Sequence, residues 1–167
     1  AVTFAAGMAA AGMVPVVAIY SSFLQRSYDQ ILHDVCLQKL HVILAIDRAG
    51  LVGQDGETHQ GIYDLAYLSH MPHMIVLAPK NRYELEAMLD YAYAYDGPIA
   101  IRYPRGSAYK GHADIQTPIV YGKSEVIQEA SGVAVFSCGH MMEEADRLVE
   151  RLSLIHISEP TRPISIS

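Results

Sequence analysis

Four short runs rich in β-branched and apolar residues, VPVVAIY (14–20), LHVILAID (40–47), MIVLAP (74–79) and PIAIRYP (98–104), punctuate the first two thirds of the chain. Between them lie segments with helical spacing or a glycine-rich loop. Near-continuous apolar strands must be buried on both faces, and strands joined through helices run parallel. This alternation predicts an α/β fold, a mainly parallel sheet with flanking helices. AVTFAAGMAAAGM (1–13) reads as a helix. From Phe23 to Lys39, Leu24, Tyr28, Ile31 and Val35 fall at i, i+4, i+7 and i+11, one face of a helix, with Ser21 and Ser22 as N-cap candidates. A short helix is expected near 62–70. Asn81 and Glu84 have capping-box spacing ahead of a stripe of Leu85, Met88, Leu89 and Ala92.

From Gly106 to Pro118 the sequence turns polar and irregular, as a linker does. YGKSEVIQEASGVAVFSCG (121–139) then reads as two strands joined by a turn, and Ala145, Leu148, Val149 and Leu152 mark a helix. The expected organisation is a domain over 1–117, the beginning of a second α/β domain over 118–152, and a tail, 153–167. That tail, SLIHISEPTRPISIS, breaks the pattern and reads as read-through. The chain opens inside a helix without an initiator Met or a signal-peptide n-region, so a preceding segment is expected.

A chain of 167 residues that is 51% hydrophobic can build one sizeable core. Its net charge of −6, from 12 Lys+Arg against 18 Asp+Glu with the basic residues scattered, disfavours nucleic acid as a partner. The longest apolar stretches are broken by Gly or Pro, well short of the roughly 20 residues of a membrane-spanning helix. Cys36 and Cys138, far apart and without CxxC spacing, read as buried reduced thiols.

In open α/β sheets ligands bind beyond the carboxyl ends of the strands. Three of those ends are chemically loaded: Tyr20, Phe23 and Arg26 after the first strand, Arg48, Asp55 and His59 after the second, Arg102 and Arg105 at the last. Guanidinium forks match phosphate bidentately, so Arg48 and Arg105 suggest a small phosphorylated ligand, with Tyr20 as a further donor; pairing with surface carboxylates is the plainer alternative. Asp55 and His59 sit among Gly50, Gly53, Gly56 and Gly61, which permit tight turns and close approach. A His beside a carboxylate can move protons near neutral pH; the alternative is an Asx-turn with a solvated His59. Phe23 can stack on a flat heterocycle or pack into the core. Metal binding has little support: Asp55 with His59, or His70 with His73, supply only two ligands each. His33, His41, His112, His140 and His156 show no constellation, and neither a P-loop, a G-x-G-x-x-G after a strand nor a G-x-S-x-G elbow is present.

The strings AVTFAAGMAAAGMVPVVAIYSSFLQRSYDQILHDV, LAIDRAGLVGQDGETHQGIYDLAYL and DGPIAIRYPRG make the chain similar to the 1-deoxy-D-xylulose-5-phosphate synthase family of the transketolase superfamily, from Ala1 to about Leu152. DRAGLVGQDGETHQG is the most specific of these motifs. The resemblance implies a homodimeric thiamine-diphosphate transferase with Mg2+. The implied reaction condenses pyruvate with D-glyceraldehyde 3-phosphate, releasing CO2, for isoprenoid, thiamine and pyridoxal synthesis, in the cytoplasm of bacteria or the plastid of plants. It implies that Phe23 stacks on the aminopyrimidine, that Tyr20, Arg48 and Arg105 hold the substrate phosphate, and that Asp55 and His59 face the reacting carbon. The family's activating glutamate lies in an E-Q-H motif just before AVTFAAG, and its Mg2+ and diphosphate ligands lie in a preceding domain; this stretch of sequence contains neither, so the expectation is that it is inactive alone. Another superfamily enzyme, and a non-catalytic domain that binds a sugar phosphate, are the competing readings.

Overall fold

The computed structural model describes residues 1–129 and 132–155, the last three by backbone alone. Apart from that final turn of backbone, the expected tail over 153–167 lies outside the described residues. The chain forms two compact units, one of Ala1–Ala78 with Met88–Ser107 and one of Pro79–Ala87 with Ala108–Ser167.

The first unit holds β1 (Val16–Tyr20), β2 (Ile43–Asp47), β3 (Ile75–Leu77) and β4 (Ile99–Arg102), in the spatial order β1-β2-β4-β3 with every pairing parallel. The fold is therefore the α/β sheet that the alternation predicts. Tyr20 stands opposite Asp47 and Ile46 opposite Arg102, so three carboxyl ends finish side by side. The central strands are buried on both faces: Leu44 and Ile46 are fully covered, and so are Ile99 and Ile101 on the neighbouring strand. Each such side chain contributes roughly 1.5–3 kcal/mol of hydrophobic stabilisation.

One core gathers Val2, Ala5 and Ala6 of α1 (Val2–Ala10) with Leu24, Ile31 and Leu68. The segment predicted as a helix over 23–39 is helical from Ser21 to Cys36 with changing winding: α2 (Ser21–Leu24), a 3-10 turn (Gln25–Ser27), α3 (Tyr28–Gln30) and a π-helical turn (Ile31–Cys36). Val35 and Cys36 in the wide turn are both fully buried. Tyr28 of the expected stripe is instead 38% exposed. Neither serine caps this helix: the N-cap is Tyr20, and Ser21 is wholly buried. Cys36 is buried and burial pushes its thiol up to about 11, whereas Cys138 is exposed, contrary to expectation, because the segment that holds it does not enter a sheet. α4 (Asp64–Leu68) and α5 (Arg82–Ala94) follow, and His41 Nε2 lies 2.8 Å from the Ala92 carbonyl oxygen, tying α5 to the approach to β2.

In the second unit the Asn81 carboxamide oxygen accepts the Glu84 N–H at 2.9 Å, and Glu84 returns to the Lys80 N–H, one residue earlier than an ideal capping box. Lys80 Nζ also joins Glu84 and Glu125. Burial alone would depress this ammonium, but its two carboxylate partners raise it above its usual range. Among the described residues of 121–139 no strand forms, correcting the expectation of two; residues 130 and 131 of that stretch lie outside the described residues. Val120, Val126, Val133 and Phe136 are exposed, and a two-stranded hairpin without a third strand or a covered face is marginal in water. The expected helix is α6 (Met142–Ile155), preceded by a 3-10 turn (Gly139–Met141). His112, for which no constellation was expected, meets Asp146 at 2.9 Å, and the Tyr109 hydroxyl donates to the same carboxylate at 2.6 Å. That hydrogen bond pushes the Tyr109 phenol up to about 12. These contacts cross 34 and 37 residues, beyond the reach of local spacing.

Candidate functional site

Aromatic and charged side chains converge at the carboxyl ends of β1, β2 and β4. The Tyr20 and Phe23 rings stack with centroids 5.3 Å apart, and His59 meets Phe23 edge-on at 5.1 Å. Phe23 is 48% exposed, so it is not a core residue; an open ring face at a strand end is what stacking on a flat heterocycle requires. The Arg48 guanidinium lies 4.3 Å from the Tyr20 ring centroid, a cation–π placement.

Arg48 and Arg105 share one acceptor. Asp55 Oδ1 pairs with Arg48 Nη1 and accepts from Arg105 Nη1 at 2.7 Å. The hydrogen bond from Arg48 holds the Asp55 carboxyl below the usual carboxylate range; partial burial opposes this, and the charges of both arginines reinforce it. The same hydrogen bond raises the Arg48 guanidinium further. Arg48 Nε and Asp55 Oδ2 are buried and have no partner among the described residues. Two guanidinium groups thus converge on one carboxylate oxygen, and Arg48 keeps an N–H that could still donate.

Local backbone geometry positions Arg48 and Asp55. Arg48 adopts a left-handed conformation, φ 58°, immediately after β2, and its N–H is held by Asp47 Oδ1 at 2.7 Å. The Ala49 N–H donates to the Tyr103 carbonyl at 3.0 Å, fastening the loop entrance to the end of β4. Reciprocal hydrogen bonds between Gly50 and Gly61, 2.7 and 2.9 Å, close the neck of the 48–61 loop. Within it the Gln60 side chain accepts the Val52 N–H at 2.6 Å and donates to the Val52 and Gly56 carbonyls at 2.9 and 2.6 Å. Gly61 has no room for a side chain: a Cβ there would lie 2.7 Å from the Ser21 hydroxyl and closer still to the Arg48 carbonyl oxygen. Its glycine permits close approach of the chain to itself rather than to a ligand. At the loop exit Arg102 Nε and Nη2 donate to Asp64 at 3.2 and 3.1 Å.

Of the residues expected from sequence, Tyr20, Phe23, Arg48, Asp55, His59 and Arg105 all meet at this edge. Asp55 and His59 do not form a mutual pair, however: Asp55 goes to the arginines, while His59 Nδ1 lies 2.8 Å from the Thr58 hydroxyl and its ring lies against Phe23. The Asp55 carboxylate is thus taken by the arginines rather than by an Asx-turn, and His59 is half-buried rather than simply solvated. Arg26 is exposed, and Arg102 is spent on Asp64. Sequence reasoning missed Ser21, Asp47, Gln60 and Asp64; only Asp47, directly before Arg48 at a strand end, carried a usable signal.

A parallel sheet whose carboxyl edge gathers an exposed aromatic stack beside paired arginines is an α/β domain of the kind that takes ligands at its strand ends. The chain belongs to the transketolase pyrimidine-binding domain family, which it matches over residues 1–110. It is 60% identical over 152 residues to the 1-deoxy-D-xylulose-5-phosphate synthase of Lachnoclostridium phytofermentans and 53% identical over 152 residues to that of Clostridium tetani. In both comparisons 91% of this chain is covered and 24% of the relative, so the chain spans about a quarter of their length. A solved structure described as a split gene transketolase, inactive beta4 tetramer, is 27% identical with a TM-score of 0.84, covering 98% of this chain and 52% of that one. Among the described residues no helix is long and apolar enough to cross a membrane.

Proposed function

We propose that this chain supplies the cofactor- and substrate-facing edge of a thiamine-diphosphate transferase of the 1-deoxy-D-xylulose-5-phosphate synthase type. The intact protein would condense pyruvate with D-glyceraldehyde 3-phosphate and release CO2. The observation that carries this reading is the Arg48–Asp55–Arg105 clamp beside the open Phe23 ring, within a chain that is 60% identical to a protein of that name.

The residues fit the cofactor where they can be tested: Phe23 offers a half-exposed ring to an aminopyrimidine, supported from behind by the Tyr20 stack. Thiamine diphosphate, when bound, supplies the carbon nucleophile and the electron sink, as such cofactors do. Arg48, Arg105 and the Tyr20 hydroxyl bind the phosphate of the aldehyde, and the near-perpendicular contact with Phe23 holds the His59 ring in place. His59 keeps Nδ1 on Thr58 and leaves Nε2 to exchange a proton with a substrate hydroxyl. Asp55 orients both arginines and has Oδ2 in reserve as an acceptor. Mg2+ and the diphosphate would be held by parts of the protein beyond these residues, so turnover belongs to the intact homodimer and the 167 residues are inactive alone. Placement in the bacterial cytoplasm belongs to the same proposal.

Titration of the chain with D-glyceraldehyde 3-phosphate tests the phosphate assignment. Saturable binding that weakens at least tenfold in Arg105→Met supports it; binding indifferent to both Arg105→Met and Arg48→Met refutes it.

A further inference from the structure

The loop that carries Arg48, Asp55 and His59 leaves the site through a contact that no ligand-facing role explains. Asp64, the first residue of α4, is wholly buried, and its carboxylate takes both donors of the Arg102 fork while Oδ1 also accepts the Leu65 N–H at 2.9 Å. The Arg102 side chain is only 11% exposed. A buried ion pair is an expensive choice for stability, since an apolar pair of similar volume often serves as well or better. What it adds is geometry: a planar fork on a carboxylate fixes distance and direction together.

Its place in the chain says what is being fixed. Arg102 ends β4, three residues before Arg105, and Asp64 follows the loop neck at Gly61 by three. The two halves of the anion clamp arrive by different routes, Arg48 and Asp55 on the loop and Arg105 beyond β4. The loop entrance is already fastened to β4 through Ala49 and Tyr103; the Asp64–Arg102 pair fastens the exit to the same strand. We infer that Asp64 and Arg102 are positioning residues that set the separation between Arg105 and the Arg48–Asp55 half of the clamp, and through it the affinity for a phosphorylated substrate. This rests on the reading of Arg48 and Arg105 as phosphate ligands. Neither Asp64 nor Arg102 touches the phosphate.

The test is calorimetric titration with inorganic phosphate of the chain, of the double variant Asp64→Leu/Arg102→Met, and of Arg102→Lys, with thermal unfolding of each as the measure of stability. The double variant replaces the pair by apolar side chains and is expected to unfold at or near the wild-type temperature. Its phosphate affinity should nevertheless fall roughly ten- to a hundredfold, the scale of losing one hydrogen bond to a charged group. Hydrogen exchange at the Gly61 amide should quicken in parallel. Wild-type affinity in the stable double variant overturns the inference and leaves the phosphate assignment standing. No saturable phosphate binding by the wild-type chain overturns both. Should the double variant not fold, Arg102→Lys decides: it keeps the charge and loses the fork, so a folded variant with unchanged affinity sinks the positioning role, and a tenfold loss supports it.

Discussion

Gly61→Ala offers the sharpest test of how the site is built. Gly61 lacks the left-handed φ that would favour glycine, so the substitution leaves its backbone preference intact and asks only whether there is space. There is little: the new methyl would meet the Ser21 Cβ and Oγ at 2.7 Å and come still closer to the Arg48 carbonyl. The carbonyl is backbone and Ser21 is fully buried, so neither can swing aside, and the neck must open. Forced overpacking of this kind costs about 1–3 kcal/mol. With a urea dependence near 2 kcal/mol per molar, the unfolding midpoint should fall by roughly 0.5–1.5 M. Gly53→Ala is the control: it lies in the same loop with nothing within 4 Å of its would-be Cβ and should change stability by less than about 1 kcal/mol, in the stabilising direction. Urea unfolding followed by circular dichroism compares the two. Equal midpoints for Gly61→Ala and Gly53→Ala would refute the idea that the loop neck is sealed against the end of β1.

Other outcomes follow from the same contacts. Because the folded-state carboxyl of Asp55 is held below its ordinary value, its contribution to stability is fully present above the ordinary carboxylate range and is lost as pH falls through the depressed value; acid titration of the wild type should therefore show a loss that Asp55→Asn lacks. Reaction with an aromatic disulfide at about pH 8 should label Cys138 in the native chain and Cys36 only after denaturation, since Cys36 is buried with its thiol raised to about 11; rapid labelling of both in the native state would contradict the core described here. Ile46→Ala, which removes a fully buried side chain from the central strand β2, should destabilise by about 2–5 kcal/mol in the same urea assay.

The sheet was legible in the sequence because buried parallel strands cannot disguise themselves: VPVVAIY, LHVILAID, MIVLAP and PIAIRYP each contain an observed strand. The candidate site was legible for a related reason, since strand carboxyl ends are where such sheets bind ligands, and six residues chosen on that ground converge. Their pairings were not. Asp55 and His59, four residues apart, look like partners on paper, yet Arg105, fifty residues on, competes for the same carboxylate. Winding from Ser21 to Cys36 escaped periodicity because a π-helical turn shifts which residues face inward. In the second unit, β-rich composition at Val126 and Val133 predicted strands, but such residues pair only where another strand or a core covers them, and here they stay exposed. The Tyr109, His112 and Asp146 cluster depends on tertiary contacts that no local pattern encodes.

The central claim is most directly tested in the complete protein that contains these residues, supplied with pyruvate, D-glyceraldehyde 3-phosphate, thiamine diphosphate and Mg2+, by measuring 1-deoxy-D-xylulose 5-phosphate formation alongside a His59→Ala variant. The account predicts steady product formation by the wild type and a loss of about 10²–10⁴-fold in the variant, the range for removing a positioned proton-transfer group. A folded complete protein that binds the phosphorylated aldehyde yet forms no product would contradict it and put a non-catalytic sugar-phosphate-binding role in its place.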